Sequence, residues 1–181
     1  MFGFVGRLSY QKGLDLLFKV MDDILEMDVQ LVFLGVGEEK YHKRLKDFCK
    51  HYPSKVAARL DFDEAIAHRI YAGADIFLMP SLYEPCGLSQ MISFRYGTIP
   101  LTFKTGGLAD TIFHYNSTSG NGFVFDEYTE KSFLKTLKES VEVFHDRSLF
   151  FELIQKALKH DFSWDKSARE YKEVYEGLGL G

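Results

Sequence analysis

The sequence is poor in the features that mark several protein classes. Its two cysteines, Cys49 and Cys86, cannot build a disulfide framework, so a reducing compartment is the expectation. No apolar run approaches the roughly 20 residues of a membrane-spanning helix, and the amino end carries no signal-peptide pattern. Basic residues form no block longer than Lys43-Arg44, and 22 lysines and arginines face 26 acids for a net charge of −4, which argues against nucleic acid as a partner. The six histidines have no metal-ligand spacing and no cysteine or aspartate cluster beside them, so neither a metal nor a cofactor is expected. Gly35-Val36-Gly37 lacks the third glycine of a dinucleotide fingerprint, and no Gly-x4-Gly-Lys-Ser/Thr run exists; dehydrogenase and P-loop chemistry fall away. There is no internal repeat, linker or low-complexity tract. Asn116-Ser117-Thr118 matches a glycosylation acceptor, a chance match in a chain that never meets the secretory pathway.

What is present is a packed α/β pattern. With 181 residues, 46% of them hydrophobic and 15% aromatic, the chain can bury the core of one ordinary domain. Short apolar strands at Phe2–Gly6, Val29–Leu34, Val56–Phe62, Ile76–Met79, Thr98–Phe103 and Gly122–Phe125 alternate with helical spacing. Helices are predicted from Lys12 to Leu25, around Tyr41–Tyr52, from a cap at Asp63 through Tyr71, and from Gly87 to Tyr96. A short one follows at Ala109–Phe113, then Thr129–Phe144, Ser148–Lys159 and a last one from a cap at Ser163 to Glu176. A polar, glycine- and serine-rich loop at His114–Asn121 is expected to be mobile. The intervals are too long for hairpins, so the fold class is a single Rossmann-like, doubly wound parallel sheet with right-handed crossovers. A strand starting at Phe2 with no lead-in implies a cut from within a longer protein.

The chain is organised around Ile76–Tyr96. A strand buried on both faces ends at Pro80-Ser81, the turn Tyr83-Glu84-Pro85-Cys86-Gly87 carries a carboxylate, and a helix opens at Gly87-Leu88. In parallel sheets ligands bind beyond the carboxyl ends of the strands. Glu84 is thus placed beside free helix N–H groups, a geometry for an anion with hydroxyls nearby. Arg7 and Lys12, five positions apart after the first strand, suit a diphosphate of roughly −3 near neutral pH. Without further context Arg7 and Lys12 read first as solvated loop charges, and Glu84 has an alternative reading as a helix cap.

Longer blocks decide between these readings. Glu84-Pro85-Cys86-Gly87-Leu88-Ser89-Gln90 resembles the donor-site turn of bacterial glycogen synthases and plant starch synthases. The resemblance continues in Gly6–Gly13 (GRLSYQKG), Ala67–Asp75, Arg95–Pro100, Lys104–Thr111 and Asp161–Asp165, in the family's order over nearly the whole chain. It implies a GT-B glycosyltransferase of which residues 1–181 are the carboxyl-terminal, donor-binding domain, the amino-terminal acceptor-side domain being absent. The implied activity is transfer of glucose from ADP-glucose to the non-reducing end of an α-1,4-glucan with retention, in the bacterial cytoplasm or a plastid stroma. By resemblance Arg7 and Lys12 bind the donor phosphates and steady the leaving ADP, and Glu84 is the sugar-contacting carboxylate near the reacting carbon. The N–H groups of Gly87, Leu88 and Ser89, with the Ser89 hydroxyl, hold phosphate, and no metal is required.

The chain departs from the family's pattern twice. Many such enzymes carry a second glutamate eight positions after the first, where Ile92 stands here, so the two-glutamate scheme does not carry over whole. Phe62 stands where the family places an aromatic, often tyrosine, that stacks on adenine; a core phenylalanine fits the position as well. Cys86 is read as a small buried thiol rather than a nucleophile. His68 is expected to bond locally on its helix and Trp164 to anchor the last helix in an apolar pocket. Alternatives are a related transferase using UDP-glucose or another nucleotide sugar, a non-catalytic nucleotide-sugar-binding module, and a purely structural domain.

Overall fold

The computed structural model describes residues 1–116 and 119–179. Six parallel strands form one sheet: β1 (Phe2–Val5), β2 (Leu31–Leu34), β3 (Val56–Arg59), β4 (Ile76–Met79), β5 (Ile99–Phe103) and β6 (Phe123–Phe125), in the order β3-β2-β1-β4-β5-β6. Among the described residues the helices are α1 (Leu14–Lys19), α2 (Met21–Glu26), α3 (Glu39–His51), α4 (Glu64–Gly73), α5 (Ser89–Tyr96), α6 (Gly106–Thr111), α7 (Glu130–His145), α8 (Arg147–Leu158) and α9 (Trp164–Gly177). The doubly wound parallel sheet expected from the alternating pattern is the observed fold.

Helices cover both faces of the sheet, so its central strands are apolar throughout. All four residues of β4 are buried, and Phe2, Phe4, Phe33, Phe77, Leu101, Phe123 and Phe125 are each at most 3% exposed. Each fully buried side chain of this size contributes about 1.5–3 kcal/mol. The sheet reverses its direction of growth between β1 and β4, which are neighbours although 70 residues of chain separate Val5 from Ile76. Their register pairs Phe2 with Ile76 and Gly3 with Phe77. Gly3 is required there, because a Cβ would sit 2.9 Å from both the Ala74 and Ile70 side chains of the α4 region. The loops after β1 and β4 therefore leave the sheet side by side, at the point where such folds open a crevice.

Several boundaries differ from the sequence reading. The helix expected from Lys12 to Leu25 is two, broken at Val20, whose φ of −103° and ψ of 9° leave the helical range. Val29 and Leu60–Phe62 lie outside their strands. Asp63 and Ser163 cap α4 and α9 as expected; Thr129, expected as the first residue of its helix, is the N-cap of α7, and α8 is capped by Asp146, which accepts from Ser148 and Leu149 N–H. Trp164 does not anchor α9. It is 87% exposed, and no residue of α9 is buried, so the helix has no buried face for the indole to anchor. His68 bonds across to another helix: its Nδ1 lies 2.8 Å from the Tyr96 hydroxyl of α5, a pairing made by tertiary packing. In the loop expected to be mobile, Asn121 is fully buried and hydrogen-bonded, while Ser117 and Thr118 of the acceptor motif lie outside the described residues.

Candidate functional site

The loop after β1 runs from Gly6 into a single 3-10 turn, Tyr10–Lys12, closed by Gly13 in the left-handed conformation at φ 77°. That glycine is dictated by the neighbouring loop as much as by its own turn. A Cβ on Gly13 would stand 1.8 Å from the Pro80 carbonyl oxygen, so only glycine lets the two backbones cross. Two further bonds pin the loops together: Leu82 N–H donates to the Gln11 carbonyl at 2.9 Å, and the Gln11 amide donates to the Tyr83 carbonyl at 3.0 Å.

On this frame the structure brings Lys12 and Glu84 together. Lys12 Nζ lies 2.5 Å from Glu84 Oε2, with side chains 23% and 12% exposed, and the Ser81 hydroxyl reaches the same oxygen at 3.4 Å. The carboxylate's neutralising partner lies 72 residues away in the chain. The Glu84 backbone is held from below, its carbonyl accepting from Gly107 N–H at 3.0 Å. A Cβ on Gly106 would lie 2.1 Å from that carbonyl, which gives the Gly106-Gly107 pair a steric reason. Arg7 is exposed and meets no hydrogen-bonding or charged partner among the described residues.

Helix α5 begins at Ser89, not at Gly87. Gly87 precedes it at φ 77°, Leu88 is the N-cap and is 69% exposed, and the N–H groups of Gly87, Leu88 and Ser89 meet no acceptor among the described residues. The Ser89 hydroxyl lies toward the buried Tyr71 phenol, whose pKa burial raises and Ser89 partly lowers. Cys86 is exposed rather than buried, its thiol directed at the Gly87 carbonyl at 3.6 Å, with no histidine beside it. Phe62 is 85% exposed, which removes the core reading; it follows β3 at the sheet edge, two strands from β1.

Residues 1–149 match the family described as "Glycosyl transferases group 1". The chain belongs to that family. It is 49% identical over 179 residues to the glycogen synthase of Desulforamulus reducens, covering 98% of this chain and 37% of that protein. It is 47% identical over 180 residues to the glycogen synthase of Clostridium perfringens, again covering 98% of this chain and 37% of the relative. The chain thus spans little more than a third of the curated relatives it matches. Among solved structures, the catalytic domain of starch synthase IV from Arabidopsis thaliana, bound to ADP and acarbose, superposes with a TM-score of 0.87 at 36% identity, covering 97% of this chain and 37% of that one. Sucrose-phosphate synthase from Thermosynechococcus elongatus, at 19% identity and a TM-score of 0.72, shares the fold. The single six-stranded sheet matches the Rossmann-like carboxyl-terminal domain of the GT-B glycosyltransferase architecture.

Some residues at the point where the sheet reverses escaped the sequence reading. Gln11, Ser81 and Gly106-Gly107 frame Glu84; Gln11 and the two glycines lie in matched blocks and Ser81 just before one, none with a chemical peculiarity to single it out. Tyr128 closes the frame: its hydroxyl donates to the Pro80 carbonyl at 3.3 Å, and burial first, with nearby acidic groups, pushes its pKa up to about 12. Gln90 is fully buried, its Nε2 donating to the Cys86 carbonyl at 3.1 Å and to Thr111 at 3.3 Å, while its Oε1 is unpaired beneath Gly87. A groove of about 760 Å³ runs elsewhere, along β6 and α7 past Lys104, His114 and Lys135, and shares no residue with the Lys12–Glu84 pair. Among the described residues no helix is long and apolar enough to cross a membrane, and no cluster of three or more His, Cys, Asp or Glu could hold a metal.

Proposed function

We propose that residues 1–181 are the donor-binding domain of a glycogen or starch synthase, which moves glucose from ADP-glucose to the non-reducing end of an α-1,4-glucan with retention of configuration. The observation that carries this reading is the meeting of Lys12 and Glu84 at 2.5 Å, where the loops after β1 and β4 cross at the reversal of the sheet. Lys12 and the exposed Arg7 supply cations for a diphosphate, and the acceptor-free N–H groups of Gly87, Leu88 and Ser89 supply donors beside it. Glu84 offers the carboxylate for sugar hydroxyls, and the exposed Phe62 ring is available to a base. Fixed donors aimed at a departing ADP stabilise the charge that develops on it without a metal. The acceptor glucan and the other wall of the cleft belong to an amino-terminal domain outside this chain, and the setting is the cytoplasm or a plastid stroma.

Titration of the chain with ADP and UDP, followed by amide NMR shifts, tests the reading. ADP is expected to bind weakly, at about 1 mM or −4 kcal/mol, and more tightly than UDP. Shifts should centre on the loops after β1 and β4 and on the start of α5, and Arg7→Ala and Lys12→Ala should each weaken binding several-fold. A preference for UDP would move the assignment to a transferase with another nucleotide sugar. Unaltered shifts with either nucleotide would leave a domain that binds no nucleotide.

A further inference from the structure

The contact between Lys12 and Glu84 sets two proposed roles against each other. A lysine that grips a diphosphate and a carboxylate that grips sugar hydroxyls are here spent on one another, at 2.5 Å and largely shielded from water. Partly buried pairs of this kind are screened less than surface pairs, and removing one partner exposes the full demand of the other for a counter-charge. Their backbones cannot drift apart to relieve this. Gly13 passes under the Pro80 carbonyl, Leu82 is bonded to Gln11, Gln11 to Tyr83, and the Glu84 carbonyl to Gly107. Only side-chain rotation separates the ammonium from the carboxylate, and rotamer wells allow that on a fixed frame.

We propose that the Lys12–Glu84 ion pair is a resting-state latch, which the donor's diphosphate must displace to engage Lys12. The inference rests on the donor-site reading above. In the resting site the pair is neutral as a unit, and Arg7, exposed and without a partner among the described residues, is the cation that first meets an incoming anion. Phosphate oxygens then replace Glu84 on the Lys12 ammonium. The freed carboxylate turns from Lys12 to the hydroxyls of the attached sugar, with the Ser81 hydroxyl, 3.4 Å away, still holding one oxygen. A nucleotide without a sugar displaces Glu84 and offers it nothing in return. A nucleotide sugar re-partners both groups, so the latch penalises the bare diphosphate relative to the intact donor.

The test is a thermodynamic cycle on the whole chain, with ADP and ADP-glucose affinities measured by calorimetry or amide shifts for the wild type, Glu84→Gln, Lys12→Ala and the double variant. Glu84→Gln keeps shape and removes the competing charge. It is expected to tighten ADP roughly three- to tenfold while ADP-glucose gains less or weakens. In the Lys12→Ala background the gain from Glu84→Gln should vanish. Glu84→Asp, a shorter carboxylate, should fall between wild type and Glu84→Gln. If Glu84→Gln binds ADP as the wild type does, Lys12 bridges both groups with its three donors and the latch is overturned. A gain that persists without Lys12 overturns it too, as a general charge effect. In both cases a weaker Lys12→Ala leaves the donor-site reading standing. Failure of ADP to bind any variant overturns that reading and the latch together.

Discussion

His160 shows at the scale of one residue how a side chain far from the crevice can set the conditions for folding. Its ring stacks on Phe94 and Phe162, with centroids 5.6 and 6.0 Å away, and its Nε2 lies 3.0 Å from the Asn121 side-chain nitrogen. That amide also donates to the Thr111 carbonyl at 3.0 Å, and its oxygen accepts from Phe113 N–H at 2.8 Å, so the nitrogen faces His160 as a donor. Only the neutral imidazole can accept. Burial, with the Lys166 charge adding to it, lowers the His160 pKa below the ordinary 6.5. The unfolded chain therefore binds the proton more readily, and stability is lost as pH falls from about 6.5 toward the lower folded value. Above 6.5 the ring is neutral in both states and contributes no slope. Thermal unfolding between pH 7.5 and 5.5 should show a falling midpoint, and His160→Phe, which keeps the stack, should flatten that part of the profile.

At the scale of elements, the contrast lies between the central strands and the last helix. β4 is buried at every position, and the contacts of β1, β4 and β5 with their neighbours make up the heart of the molecule. α9 has an intact cap at Ser163, with ion pairs Lys166–Glu170 and Lys172–Glu176 along it, but buries nothing. Such i,i+4 pairs contribute about 0.3–0.5 kcal/mol each, too little to hold an isolated helix of this length. Amide hydrogen exchange should separate the two. Residues of α9 are expected to exchange near the rate of an isolated helix, and those of β1, β4 and β5 only on global unfolding. Protection of α9 equal to that of the strands in the dilute chain would contradict this.

At the scale of the whole molecule, the chain covers 37% of its glycogen synthase relative from Desulforamulus reducens, and on the function proposed above it carries one side of a cleft. Orienting donor and acceptor in one geometry is worth about 7–11 kcal/mol of a transfer barrier, and a single wall cannot supply it. We expect no measurable glucosyl transfer from ADP-glucose to an α-1,4-glucan by these residues alone, assayed with labelled donor. Glucan synthesis by the lone chain would refute the division of labour proposed here.

Much of this was legible in the residues themselves. Alternating apolar runs and helical spacing predict the parallel sheet, and Asp63, Thr129 and Ser163 mark helix starts, because propensity and capping act within a few residues of the chain. The long matched blocks from Gly6 to Asp165 point to the family without any coordinates. Only the tertiary structure decided that Glu84 faces Lys12, that His68 bonds to Tyr96, that Phe62 and Trp164 stand in solvent, and that Gly13 and Gly106 make room for carbonyls of other loops. Each of these depends on which strands become neighbours. That order is a property of the packed sheet, in which β1 lies against β4 although the chain reaches β4 only after two other strands.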